Sequence, residues 1–160
     1  MIRPVKYFAG LDPSLVGTAV VMIDENSIIA EQRLVITDSK EDIESRLLRI
    51  VREVSFLRCV PTLETVCIEG LAYLSHSSRL FELAGIHFML RCKMKECNIP
   101  FSVVPPTSLK KFATGKGNCG KDLIIKCVYE KWGVNFQNDN LADAYVLARM
   151  ALEDFKDERK

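Results

Sequence analysis

Three carboxylates in this 160-residue chain occupy positions where an unpaired charge is unfavourable, because each lies beside or within apolar sequence. Asp12 ends the run Ala9-Gly10-Leu11-Asp12, Glu69 ends Val66-Cys67-Ile68-Glu69, and Asp143 sits inside Leu141-Ala142-Asp143-Ala144-Tyr145. Two parallel neighbouring strands would bring Asp12 and Glu69 to one sheet edge, where open α/β sheets commonly hold their sites. Carboxylates gathered there raise one another's pKa unless a cation intervenes. A divalent metal is the simplest such cation, and Mg²⁺ takes oxygen ligands while keeping waters that phosphate oxygens can replace. Asp139 and Asn140, four and three residues before Asp143, can share its helical face and complete the cluster. The same acids have plainer readings, since strand-end carboxylates cap turns and an Asp at a helix start serves as an N-cap.

The elements that must position these residues follow from periodicity. Val5 to Leu11, Thr18 to Ile23 and Ser27 to Ile36 are β-prone runs joined tightly, which predicts an antiparallel meander. Thr37-Asp38-Ser39 offers capping side chains to a helix carrying Ile43, Leu47, Ile50, Val51, Val54 and Leu57, closed by Pro61. Thr65 to Ile68 is a short strand. A helix from about Ser77 to Asn98 is apolar on nearly every face, which predicts burial on both sides, against a sheet and against a partner subunit. Phe101 to Val104 is another strand, stopped by Pro105-Pro106. Thr107 to Lys131, interrupted by Gly115, Gly117 and Gly120, reads as helix, loop, helix, with Trp132 and Phe136 packing its end. The last helix starts near Asp139 or Asn140 and keeps Leu141, Ala144, Tyr145, Ala148 and Leu152 on one face. Strands first, then alternating strand and helix, predict an α/β domain around a mixed sheet.

Composition sets the bounds. With 48% hydrophobic and 27% charged residues and no repeat or linker, the chain reads as one globular domain over 1–160, with a polar, charged tail from about residue 154. The net charge of +1 excludes a global polycation, so any contact with nucleic acid must come from local charge. No window approaches the ~18 apolar residues of a membrane span and the N-terminus lacks a signal-peptide core, which predicts a cytoplasmic protein with no membrane partner. Six cysteines without a CxxC pair predict reduced, buried thiols rather than a zinc or redox centre. His87 reads as a satisfied core or interface histidine and His76 as part of a helix-entry turn, neither with metal-site spacing.

Asp12 in GLDPS, Glu69 in VCIEG and the closing LADAY around Asp143 resemble, in order and over about Val5 to Leu152, the motifs of RuvC-type Holliday junction resolvases, particularly phage-like members. The resemblance implies a ribonuclease H-like fold, a mixed five-stranded sheet flanked by helices, and a homodimer making paired, Mg²⁺- or Mn²⁺-dependent nicks at four-way DNA junctions that leave 5′-phosphate and 3′-hydroxyl ends. In that reading Asp12 bridges two ions roughly 3.5–4 Å apart. Glu69, Asp143 and either Asp139 or Asn140 hold the outer positions, and Lys121 or Lys110 neutralises charge growing on the phosphoryl oxygens. Two departures stand out: Asn140 occupies the place where many members carry a third Asp or His, and Ser14 follows Asp12-Pro13 where Gly is frequent.

The segment Lys110 to Lys131 carries six lysines against two acids, a local +4 that the whole-chain charge conceals. Lys110, Lys111, Lys116 and Lys121 on a Gly-interrupted stretch can follow phosphates without reading bases, as recognition of branched-DNA shape requires, although a solvated helix face has the same composition. Tyr73, near the place of the aromatic wedge of cellular members, is either a junction contact or a partly buried loop tyrosine. A C₂ dimer would set two sites on symmetric phosphates, with the Leu80 to Leu90 helix as its interface. Two rivals remain: a nuclease of the same fold cutting forks and flaps, and a catalytically silent junction-binding protein suggested by Asn140.

Overall fold

The computed structural model describes residues 3–71 and 79–159. Its elements run β1 (Tyr7–Asp12), β2 (Gly17–Asp24), β3 (Ile29–Ile36), α1 (Ile43–Val54), β4 (Leu63–Glu69), α2 (Leu80–Glu96), β5 (Phe101–Val104), α3 (Pro106–Thr114), α4 (Lys121–Trp132) and α5 (Asp139–Asp157). The five strands form one sheet in the order β3-β2-β1-β4-β5. β1, β2 and β3 pair antiparallel as the expected meander, while β4 and β5 join parallel to β1. The mixed α/β sheet anticipated from the alternation of elements is therefore present.

Each face of the sheet buries its own core, because successive strand residues point to opposite sides. Ala9 and Leu11 of β1 and Val66 and Ile68 of β4 pack with Ile50 and Val54 of α1 and Ile86, Leu90 and Met94 of α2. Phe8 and Cys67 pack on the other face with α5, Leu109 and Ala113 of α3, and Ile124 and Val128 of α4. By the same alternation Asp12 and Glu69 project on the α5 face. Gly10 decides how close that helix comes: a Cβ there would lie 1.9 Å from the Ala144 carbonyl oxygen and 2.4 Å from the Ala148 nitrogen. A glycine inside a strand marks this kind of backbone approach.

Several expectations are corrected by the structure. α1 is capped by Asp42, which accepts from the Ser45 N–H at 2.8 Å, and not by Thr37-Asp38-Ser39. Thr37 is instead buried beneath the Leu15 carbonyl, to which its hydroxyl donates. α2 does pack one side on the sheet, through Ile86, His87, Leu90 and Met94, and leaves Phe81 86% and Phe88 55% exposed on the side expected to meet a partner subunit. The polar segment from residue 154 continues α5 to Asp157, and Phe155 returns its ring to Phe8 at 5.1 Å between centroids. α3 ends at Gly115, whose φ of 79° is a left-handed cap that residues with a Cβ rarely adopt. Among the described residues no helix is long and apolar enough to cross a membrane. Tyr73 and His76 lie outside the described residues.

If the β1–α5 contact is as tight as Gly10 indicates, Gly10→Ala should lower unfolding free energy by about 3 kcal/mol or more in chemical denaturation, because the added methyl meets backbone and not a movable side chain. A variant within error of wild type would show that α5 can withdraw freely from the strand.

Candidate active site

β1 and β4 run parallel with Leu11 opposite Ile68, so their next residues, Asp12 and Glu69, end the two strands side by side. α5 crosses the same face and brings Asp143 to them from its second turn. Asp12 and Asp143 retain only 5% and 8% of their exposure, which makes both buried acids. Burial first, then the charge of Glu69 and a hydrogen bond with it, then Asp143, raise the Asp12 carboxyl well above the usual carboxylate range, against the pull of Lys121. Asp143 is pushed up to about 7, chiefly by burial and next by Glu69, while Lys121 and Lys110 oppose the shift.

The lysines arrive from the segment singled out by its charge. Lys121 opens α4 and pairs with Asp139, which lowers the Asp139 carboxyl and raises the lysine. Lys121 remains 66% exposed at its side chain, so the pair contributes little to stability and its ammonium stays within reach of an incoming anion. Lys110 acts on Asp143 from α3. Lys111 and Lys116 are exposed, on α3 and in the loop after it.

Asn140 is held at the start of α5 by its amide nitrogen. Its amide Nδ2 donates to the Gly17 carbonyl at 2.8 Å, tying the first turn of α5 to the start of β2. An aspartate could not make that bond, so the residue type fits a structural tie. The turn between Asp12 and β2 is also fixed: Ser14 Oγ accepts from the Val16 and Gly17 N–H groups at 3.3 Å, and Thr18 Oγ1 donates to the Ser14 carbonyl at 2.7 Å. Ser14 thus supplies, through its hydroxyl, the turn that glycine would make by conformation. Arg46, buried on α1, donates from Nη2 to the Leu15 carbonyl at 2.5 Å and from Nε to Thr37 Oγ1 at 3.2 Å.

Among the described residues no three acidic, histidine or cysteine side chains converge as they stand into a ligand set for a metal ion. The chemistry of the carboxylates nevertheless fits a hard divalent cation: the donors are all oxygen, and Asp143 Oδ1 is buried with no hydrogen-bond partner among the described residues. All six cysteines are free thiols, and burial pushes the Cys67 thiol up to about 11.

No family model matches the chain. It is 26% identical over 142 residues to the crossover junction endodeoxyribonuclease RuvC of Brachyspira hyodysenteriae, spanning 87% of this chain and 89% of that protein. The structure of Thermus thermophilus RuvC in complex with a Holliday junction substrate superposes with a TM-score of 0.77 at 17% identity, covering 96% of each chain. The fold is that of RuvC. The yeast mitochondrial Holliday junction resolvase is similar at a TM-score of 0.57 and 15% identity, covering 99% of this chain and 85% of that one. The RuvC fold, a ribonuclease H-like arrangement, accounts for the parallel β1–β4 pair and for α5 lying over their ends.

Two contributors to the site were not recognised from the sequence. Gly10 carried a usable signal, a glycine inside an apolar strand two residues before an acid. His87, read as a core histidine, donates from Nε2 to the Glu69 carbonyl at 2.8 Å, and nothing in its sequence neighbourhood points to that strand end.

The titration of Asp143 fixes the sign of a pH effect. Its carboxyl stands near 7 in the folded chain against an ordinary 3.8, so the folded state holds the proton more tightly and this group's stabilisation, full at low pH, is lost as pH rises to about 7. Metal-free Asp143→Asn should therefore gain stability over wild type on going from pH 4 to pH 7.5, by on the order of 2 kcal/mol in denaturant titrations. A difference between the two proteins that does not change with pH would contradict the buried, proton-binding state of Asp143.

Proposed function

We propose that the chain is a Holliday junction resolvase, an endodeoxyribonuclease that makes paired nicks in four-way DNA junctions with Mg²⁺ or Mn²⁺ as cofactor. The observation that carries this reading is that Asp12 and Glu69 end neighbouring parallel strands with buried Asp143 of α5 over them, and with Lys121 and Lys110 acting on the same acids, in a chain of RuvC fold. Similarity to RuvC proteins over most of the chain supports the same substrate.

Asp12, Glu69 and Asp143 would hold the divalent cations, with Asp139 as the fourth acid or Asn140 through its Oδ1, since the bond to Gly17 engages only the Asn140 amide nitrogen. When bound, a pair of such ions supplies an activated water and stabilises the departing 3′ oxygen, so that hydrolysis leaves 5′-phosphate and 3′-hydroxyl ends. The chain's own residues do the rest. Asp12 and Asp143 would both favour their ionised forms beside a bound cation, whose charge offsets the burial and the neighbouring acids that raise their carboxyls. Lys121, on a surface-exposed side chain tethered by Asp139, meets the phosphoryl oxygens as their charge grows, with Lys110 behind it. Lys111 and Lys116 extend the positive track for flanking phosphates.

A homodimer completes the reading. The exposed Phe81 and Phe88 of α2 give one chain an apolar outer face, and a two-fold pair would present equivalent sites to a junction of matching symmetry. Tyr73 stands in sequence between Glu69 and that helix, as a junction contact would. Such an enzyme would act in the cytoplasm.

With a strand-labelled immobile junction, wild type should give symmetric nicks in Mg²⁺ or Mn²⁺ and none in chelator. Asp12→Asn and Asp143→Asn should bind the junction without cutting it, and Lys121→Ala should cut about a hundredfold more slowly. Binding with no nicks in either metal would make the chain a silent junction binder, and equal cutting of forks and flaps would widen its substrate class. In sedimentation analysis Phe88→Asp should be monomeric; a fully active Phe88→Asp dimer would remove α2 as the interface.

A further inference from the structure

The parallel ladder between β1 and β4 ends one step before the acids. Leu11 opposite Ile68 is the last paired position, so the carbonyl of Glu69 has passed beyond the strand that would have satisfied it. A buried carbonyl without a partner is unfavourable by about 1–3 kcal/mol and leaves its peptide free to turn. The other half of the same peptide is fixed, since the Gly70 N–H donates to the Val104 carbonyl of β5 at 2.7 Å. His87 of α2 supplies the missing half: its Nε2 lies 2.8 Å from the Glu69 carbonyl oxygen, and the ring is 2% exposed. With a carbonyl as acceptor, that nitrogen must carry the hydrogen. The other ring nitrogen, Nδ1, is buried and has no partner among the described residues, so among them the bond to Glu69 is what orients this imidazole.

We infer that His87 is a positioning residue for Glu69, a stand-in for the absent strand that clamps the Glu69–Gly70 peptide between α2 and β5 and so holds the Glu69 carboxylate at Asp12. This rests on the reading of Glu69 as a metal ligand. Partners that orient ligands in this way typically change metal affinity by about 10–100-fold when removed. The helix that carries the clamp also presents Phe88 outward one residue later, so the clamp depends on α2 staying docked through Ile86, Leu90 and Met94.

The test uses wild type, His87→Leu, His87→Gln, His87→Asn and Asp12→Asn. Mn²⁺ binding is followed by electron paramagnetic resonance without DNA, and the Mg²⁺ dependence of junction nicking is measured beside junction binding in chelator. His87→Leu should bind Mn²⁺ about tenfold or more weakly and need correspondingly more Mg²⁺, with junction binding unchanged. His87→Gln, whose amide nitrogen can stand where Nε2 stood, should stay close to wild type, and His87→Asn, too short to reach, should behave like His87→Leu. Wild-type metal dependence in His87→Leu would overturn the inference; if that variant does not fold, equal behaviour of His87→Gln and His87→Asn would overturn it. Failure of the underlying reading looks different: wild type and Asp12→Asn would then bind Mn²⁺ alike, or neither would bind it.

Discussion

Gly10 has no side chain, and through that gap the backbone of α5 lies directly on the central strand of the sheet. A Cβ at this position would overlap the Ala144 carbonyl oxygen and the Ala148 nitrogen, so the helix could not come down without the glycine. Everything at the strand edge depends on that contact. Asp12 follows Gly10 by two residues and shares its face; Asp143 precedes Ala144 by one on the helix that Gly10 admits. The Asn140 amide bond to Gly17 fixes the entry of the same helix, and the Ser14, Thr37 and Arg46 hydrogen bonds fix the turn leaving Asp12. The two acids therefore meet because two short stretches of backbone are packed and tied, before any attraction between the side chains is considered.

That attraction is in fact repulsion. Asp12 and Asp143 are buried near Glu69, and both hold their protons far more tightly than carboxyls in water. The fold sustains this unfavourable arrangement through its two apolar cores, and offsets part of it with Lys121 and Lys110. Such strain is what a bound divalent cation would relieve, by offsetting with its charge the repulsion and burial that raise these carboxyls. Lys121 fits the same logic. Paired with Asp139 and largely exposed, it compensates the acids without closing the site to a phosphate.

Much of this was legible in the residues because the determinants are local. The alternation of β1 and β4 and the helical period of α5 mark their buried faces, and an acid interrupting each apolar pattern marks Asp12, Glu69 and Asp143. The meander, the helix-loop-helix from Pro106 to Trp132 and the start of α5 follow from runs and caps of the same kind. What escaped involves partners distant in sequence. Asn140 was weighed as a ligand because its spacing from Asp143 allows it, and its amide nitrogen also reaches Gly17, 123 residues away, a partner that no local spacing shows. Thr37 looked like a cap for the next helix, yet it turns back to Leu15. The all-round apolarity of α2 suggested burial on both sides, and only the packing shows which side the single chain covers. His87 is the clearest instance, a histidine in an apolar helix whose partner is a backbone carbonyl, a group with no residue type to read.

Asp12, Glu69 and Asp143 are proposed to form one divalent-metal site. Anomalous diffraction from a crystal of the wild-type protein soaked in Mn²⁺ tests it most directly, because the scattering locates the ion without reference to activity. Manganese peaks bounded by the carboxylates of Asp12, Glu69 and Asp143 are the expected result, with the Asp12–Glu69 hydrogen bond gone. Manganese bound only elsewhere on the surface, with that hydrogen bond intact, would contradict it.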